Sequence, residues 1–163
     1  MKTQITDVVS SKQIDAIVEK ATKKDMPIKK NGWQFTWRSL HKTEGSEFYK
    51  LVIEKNEEIQ GMLMLSLMND EMLYMNNIEV APHNFGAKGK YENVAGCLIA
   101  YGCLKSFELG QDHYKGYLTF ESKTKLISLY EKKYNATLVV GQRMFIEPKE
   151  GLKLIEKYLN QKL

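Results

Sequence analysis

The stretch from His83 to Lys90 is rich in glycine and lysine, and it feeds directly into a long helical pattern. Such a junction suits an anion. The first N–H groups of a helix have no intrahelical acceptor, and the helix dipole adds positive charge there. Lys88 and Lys90 supply further positive charge, small residues let backbone approach an anion, and Asn93 tolerates a backbone angle usually left to glycine. Just upstream are two side chains able to take a proton, Glu79 and His83. A carboxylate beside a partly buried cleft gains proton affinity, and an imidazole ordinarily titrates at about 6.5. Cys97 and Cys103 lie on different faces of one apolar helical stretch, so they cannot bridge each other. They read as reduced core residues, with no metal site expected, and they point to the cytoplasm.

The elements that must position these residues follow from the patterning. Ser10 and Ser11 followed by Ile14, Ile17, Val18 and Ala21 predict a capped amphipathic helix. Trp33 to Trp37 alternates aromatic with polar residues, the signature of a half-buried strand. Three more strands are expected at Phe48 to Glu54, Ile59 to Leu67 and Met72 to Val80, with Ala81 and Pro82 as the stop. A long helix follows over Glu92 to Leu109, in which Gly96 and Gly102 suggest close approach to a sheet or ligand. Tyr117 to Phe120 reads as a strand, Ser122 to Tyr134 as a helix, and Ala136 to Val140 with Arg143 to Ile146 as a hairpin. Glu150 to Leu159 closes the pattern as a helix. Strand, loop, helix and strand in succession imply a parallel crossover inside a mixed α/β sheet.

A chain of 163 residues fits one domain over 1–163. With 43% hydrophobic and 27% charged residues the composition is that of a globular protein. No apolar run approaches the roughly 20 residues that span a bilayer, and the first residues lack an apolar signal core. The net charge of +4 is spread along the chain without a zinc-knuckle, helix-turn-helix or aromatic RNA-binding signature, so nucleic acid is not an expected partner.

Two segments carry a family resemblance. Lys90, Tyr91, Glu92, Asn93, Val94 and Ala95 resemble the pyrophosphate loop of the GNAT N-acetyltransferases, in which Gln or Arg, two residues, Gly, one residue, and Gly or Ala open the long helix. Lys stands for Arg, Asn for the first Gly, and Ala95 fits. Leu126 to Ala136 resembles the family's leucine-tyrosine, Glu-Lys and turn segment, with Asn135 and Ala136 in place of Gly-Phe. The resemblance covers roughly residues 48 to 147. It implies a helix-β-β-β-β-helix-β-helix-β-β-helix order and transfer of an acetyl group from acetyl-CoA to a primary amine. It makes Tyr130 the proton donor to the leaving thiolate and puts a bulge in the strand Met72 to Val80, with the Val80 N–H toward the thioester carbonyl. Glu79 is then the general base, direct or through water, with His83 as its competitor. Lys123 stands where the family often has an Asn that touches pantetheine. Trp33, Phe35, Trp37, Arg143 and Phe145 are candidates to line the acceptor side, or else belong to the core. The positive charge argues against a polyamine acceptor. A homodimer through the last strands or terminal helix fits the same pattern. Two other readings remain: a non-catalytic acyl-CoA sensor, and an interaction module docking through its Met-rich hairpin.

Overall fold

The computed structural model describes residues 1–163, and its chain opens with a hairpin where the sequence predicts a helix. β1 (Lys2–Asp7) and β2 (Gln13–Lys20) pair antiparallel, with Ile5 opposite Ile14 and Thr3 opposite Ala16. Ser10 and Ser11, expected as a cap, sit in the turn: Ser11 has φ 58 and donates its N–H to the Asp7 carbonyl at 2.8 Å. Ile14, Ile17, Val18 and Ala21 fit a helical face, but Ile14, Ala16 and Val18 also alternate, and Ala16 and Val18 are the buried ones. A short upstream strand able to pair decides between the two periods.

Trp33 to Trp37 is corrected too. The segment follows two short 3-10 turns, Lys23–Asp25 and Lys29–Asn31, runs as irregular backbone, and ends in α1 (Trp37–Leu40). The remaining elements fall close to expectation. β3 (Ser46–Ile53), β4 (Ile59–Met68) and β5 (Met72–Val80) are followed by a two-residue strand, β6 (Tyr91–Glu92). α2 (Val94–Leu109) therefore begins two residues later than the sequence suggests. β7 (Leu118–Glu121) leads through a 3-10 turn into α3 (Ile127–Tyr134), a shorter helix than expected. β8 (Thr137–Val140), β9 (Arg143–Ile146) and α4 (Pro148–Leu159) complete the chain. The strands form one mixed sheet in the order β6-β1-β2-β3-β4-β5-β7-β9-β8. No helix is long and apolar enough to cross a membrane.

The chain divides into two compact units. The first comprises residues 1–64 and 77–98. Its core gathers Met26, Trp33, Trp37, Phe48, Met62 and Met64. Gly61 on β4 lets the start of α2 lie against the strand, because a Cβ there would come within 2.8 Å of Leu98 and 2.9 Å of Val94. The second unit comprises residues 65–76 and 99–163. In it the close approach comes from the helix side, where a Cβ on Gly102 would sit 3.1 Å from Leu118. β5 pairs in parallel with β7 over Leu73, Tyr74 and Met75, opposite Leu118, Thr119 and Phe120. α4 buries Leu154, Ile155 and Leu159.

Candidate functional site

At the end of β5 the backbone polarity is fixed by its neighbour β4. The Ala81 N–H donates to the Gln60 carbonyl at 2.8 Å. The Glu79 carbonyl also faces β4, lying 3.2 Å from where a Gly61 Cβ would be. Successive residues of a strand direct their N–H and C=O groups to opposite sides. The Val80 N–H therefore points away from β4, and the parallel ladder along β5 has already ended at Met75.

The Glu79 side chain is occupied. Its Oε2 accepts the Gln34 N–H at 2.6 Å, and its Oε1 accepts the Phe35 N–H at 3.1 Å and the Trp37 Nε1–H at 2.9 Å. This carboxylate replaces a strand partner for residues 34 and 35, which is why an alternating sequence runs there without joining the sheet. Burial still alternates, with Trp33 and Trp37 inside.

His83 belongs to a second network. Its Nε2 lies 2.7 Å from Gln60 Oε1 and 3.9 Å from Glu58 Oε1. Gln60 is fully buried within the apolar run Ile59 to Leu65, and Asn84 Nδ2 donates to its Oε1 at 2.9 Å and to its carbonyl at 3.1 Å. His83 also lines a recess of ≈ 410 Å³ walled by Pro27, Trp33, Ile59, Ala81 and Pro82. Sequence reasoning missed Gln60 and Asn84. A lone glutamine in the apolar run Ile59 to Leu65 was the available signal, since buried polar groups require partners.

The expected pyrophosphate segment is pinned at its start. The Lys90 N–H donates to the His83 carbonyl at 2.8 Å and the Tyr91 N–H to Asn84 Oδ1 at 3.0 Å. Tyr91 and Glu92 pair with Asp7 and Thr6 of β1. These two residues therefore lie before the helix, not in it. Asn93 adopts φ 72, the left-handed angle its residue type tolerates. The N–H groups of Val94, Ala95 and Gly96 precede the first helical hydrogen bond, from Cys97 N–H to the Asn93 carbonyl at 2.9 Å. Lys90 Nζ lies 5.2 Å from the Tyr91 ring centroid.

In the second unit, Tyr130 packs its ring against Phe120 at 4.8 Å and Tyr134 at 5.8 Å. Burial pushes its hydroxyl up from the usual tyrosine pKa, so it stays protonated. That hydroxyl has no hydrogen-bond partner in the protein, and it is not sealed from solvent. Lys123 is exposed at the start of the 3-10 turn before α3. Of the acceptor-side candidates, Trp37 is core, Phe145 lies against Tyr117 at 5.8 Å, and Arg143 donates to Met68 Sδ and Glu121. Cys97 and Cys103 are unbridged and buried, and burial pushes their thiols up to about 11 and about 12.

No family model matches the chain, and no curated protein matches it in sequence. Solved structures do. A mutant of the toxin AtaT, bound to the C-terminus of the antitoxin AtaR, superposes with a TM-score of 0.62 at 13% identity, covering 85% of this chain and 97% of its own. The chain has the GNAT acetyltransferase fold. An IAA acetyltransferase from Bacillus cereus matches with a TM-score of 0.52 at 14% identity, over 80% of this chain and 95% of its own. AtaTR, solved bound with acetyl-CoA, matches with a TM-score of 0.58 at 14% identity, over 86% and 98% of the two chains. At these identities the GNAT likeness is one of fold.

Proposed function

We propose that the protein, acting as one domain over residues 1–163, transfers an acetyl group from acetyl-CoA to the primary amine of an acceptor. The observation that carries this reading is the Val80 N–H, directed away from β4 beyond the end of the β5–β7 ladder in a GNAT fold. A backbone donor held in that way can stabilise the oxyanion that forms when an amine attacks a thioester. The N–H groups opening α2, with Lys90, Asn93 and Ala95 around them and Tyr91 and Glu92 bracing the segment, suit the pyrophosphate of coenzyme A. Lys123 is assigned to the pantetheine arm. Acetyl-CoA supplies the activated acyl group. Tyr130, protonated and without a protein partner, supplies the proton that the departing thiolate needs. No metal is assigned a role, and the setting we assign is the cytoplasm.

The test is a thermal melt with acetyl-CoA, dephospho-CoA and desulfo-CoA, followed by thiol-release assays across primary amines. A ligand at 100 times its Kd stabilises by about 2.7 kcal/mol. A shift with acetyl-CoA that weakens without the 3′-phosphate supports the reading, and no shift at millimolar acetyl-CoA defeats it. Binding without turnover on any amine would move the protein to the sensor reading.

A further inference from the structure

Glu79 and His83 compete as proton acceptors, and their hydrogen bonds separate them. Three N–H donors engage the Glu79 carboxylate, so a proton taken there would compete with them for its oxygens. The His83 ring can be read atom by atom. The Tyr91 backbone N–H can only donate, so the Asn84 atom it meets is the oxygen, and Asn84 turns its NH2 toward Gln60. Gln60 Nε2 donates to the Glu58 carbonyl at 3.1 Å, which leaves Gln60 Oε1 as an acceptor. His83 Nε2, 2.7 Å from that oxygen, must therefore carry a hydrogen. In the neutral ring the lone pair is then on Nδ1, and Nδ1 has no partner in the protein.

Resting on the proposed acetyl transfer, we infer that His83 Nδ1 takes the proton shed by the acceptor amine, and that the recess beside it holds an acceptor with one amine on an apolar body. The balance is simple. The amine nitrogen attacks the thioester carbonyl, the C–N bond forms, the nitrogen's proton passes to Nδ1, and the C–S bond breaks. The thiolate leaves and takes a proton of its own. The recess walls are apolar except for a few groups, and the carboxylate among them is already satisfied. Asp25 Oδ1 accepts Lys50 Nζ at 3.0 Å, and its Oδ2 accepts the Thr22 N–H and hydroxyl at 2.8 and 3.0 Å. Among the residues that line the recess a second ammonium finds no spare carboxylate, and Glu58 lies outside that lining, which disfavours polyamines. The groups facing the imidazole are Glu58 at 3.9 Å, the Tyr91 ring edge-on at 6.5 Å, and Asp25 on the recess wall.

Two measurements decide it. Nitrogen-15 NMR of the His83 ring in the full chain reads the tautomer without any need for turnover. An Nε2–H ring is expected, and an Nδ1–H ring overturns the assignment. Turnover with acetyl-CoA is then compared for phenethylamine and spermidine, in wild type and His83→Gln. The side chain is partly exposed, so the variant should fold, and its melt and acetyl-CoA binding should match wild type. The expected result is at least a 100-fold fall in kcat with loss of the acidic limb of the pH profile. His83→Gln within threefold of wild type with that limb intact overturns the inference while leaving acetyl transfer standing. A preference for spermidine overturns the acceptor class. A wild type that fails to bind acetyl-CoA refutes the underlying reading itself.

Discussion

Glu79 and Tyr130 are the two side chains that the family resemblance marks for acid–base work, and their surroundings are opposites. Around Glu79 three donors converge on two oxygens, and the group holds a loop. Around Tyr130 the ring is packed against Phe120 and Tyr134 while the hydroxyl answers to nothing in the protein. A carboxylate that accepts three N–H groups holds a loop in place, and a hydroxyl left without a protein partner at the end of a well-packed ring is available for chemistry.

The sharpest way to break this contrast is Tyr130→Phe. It removes an unpartnered hydroxyl, so kcat should fall on the order of 100-fold or more, while the melting temperature moves by less than about 2 °C, on the scale of surface-like substitutions. A large loss of stability would show the hydroxyl to be structural after all. Glu79→Ala should do the reverse. It strands two backbone N–H groups and the Trp37 indole, costing about 3 kcal/mol, or about 6–12 °C for a chain of this size. Glu79→Gln keeps an oxygen for Phe35 and Trp37 but turns an NH2 toward Gln34, so about 1 kcal/mol is expected. Equal melts for the two variants would argue that the clasp is not formed.

Smaller effects test the same rule at Lys50 and Asp25, whose side chains are 16% and 12% exposed. Burial pushes Asp25 up, yet the Thr22 N–H and hydroxyl together with Lys50 outweigh it, and the carboxyl ends below its ordinary value. Burial pulls Lys50 down, yet Asp25 and Glu19 outweigh that and raise it. Lys50→Met should cost about 2 kcal/mol. The Asp25 contribution is fully present above the ordinary aspartate pKa of about 3.9 and is lost as pH falls through the depressed folded value. Lys50 contributes fully below about 10.4 and loses that as pH rises through its raised value. Urea titrations at pH 3 and pH 7 should show wild type losing more on acidification than Lys50→Met. The smallest expected signal is at the thiols. With Cys97 and Cys103 pushed up by burial, alkylation of the folded protein by iodoacetamide at pH 8 should be slow and should accelerate in denaturant.

The sequence revealed most where local signal and tertiary partner agree. Met72 to Val80 is bounded by turn residues and Pro82, and the strand occupies those residues. Asn93 announced its left-handed angle through residue type alone. The segment at Ser10 to Ala21 was misread because serines that cap helices also form turns, and only pairing with Lys2–Asp7 makes the second period win. Residues 33–37 were misread for a subtler reason: their backbone donors are met by a side chain from a distant strand, which no periodicity encodes. The tautomer of His83 was likewise out of reach, because it depends on Tyr91, Asn84 and Gln60 being brought together by the fold.

The pairing of Tyr91 and Glu92 with β1 also bears on how the chain is made. Synthesis proceeds at about 5–20 residues per second, so Thr6 and Asp7 wait several seconds on a ribosome before the strand that covers them emerges. During that interval the outer edge of the first hairpin is an open template for any extended peptide nearby. The segment that opens α2 is thus also the closing stitch of the amino-terminal hairpin, and changes at Thr6 or Asp7 should be felt at the phosphate end of the proposed coenzyme site.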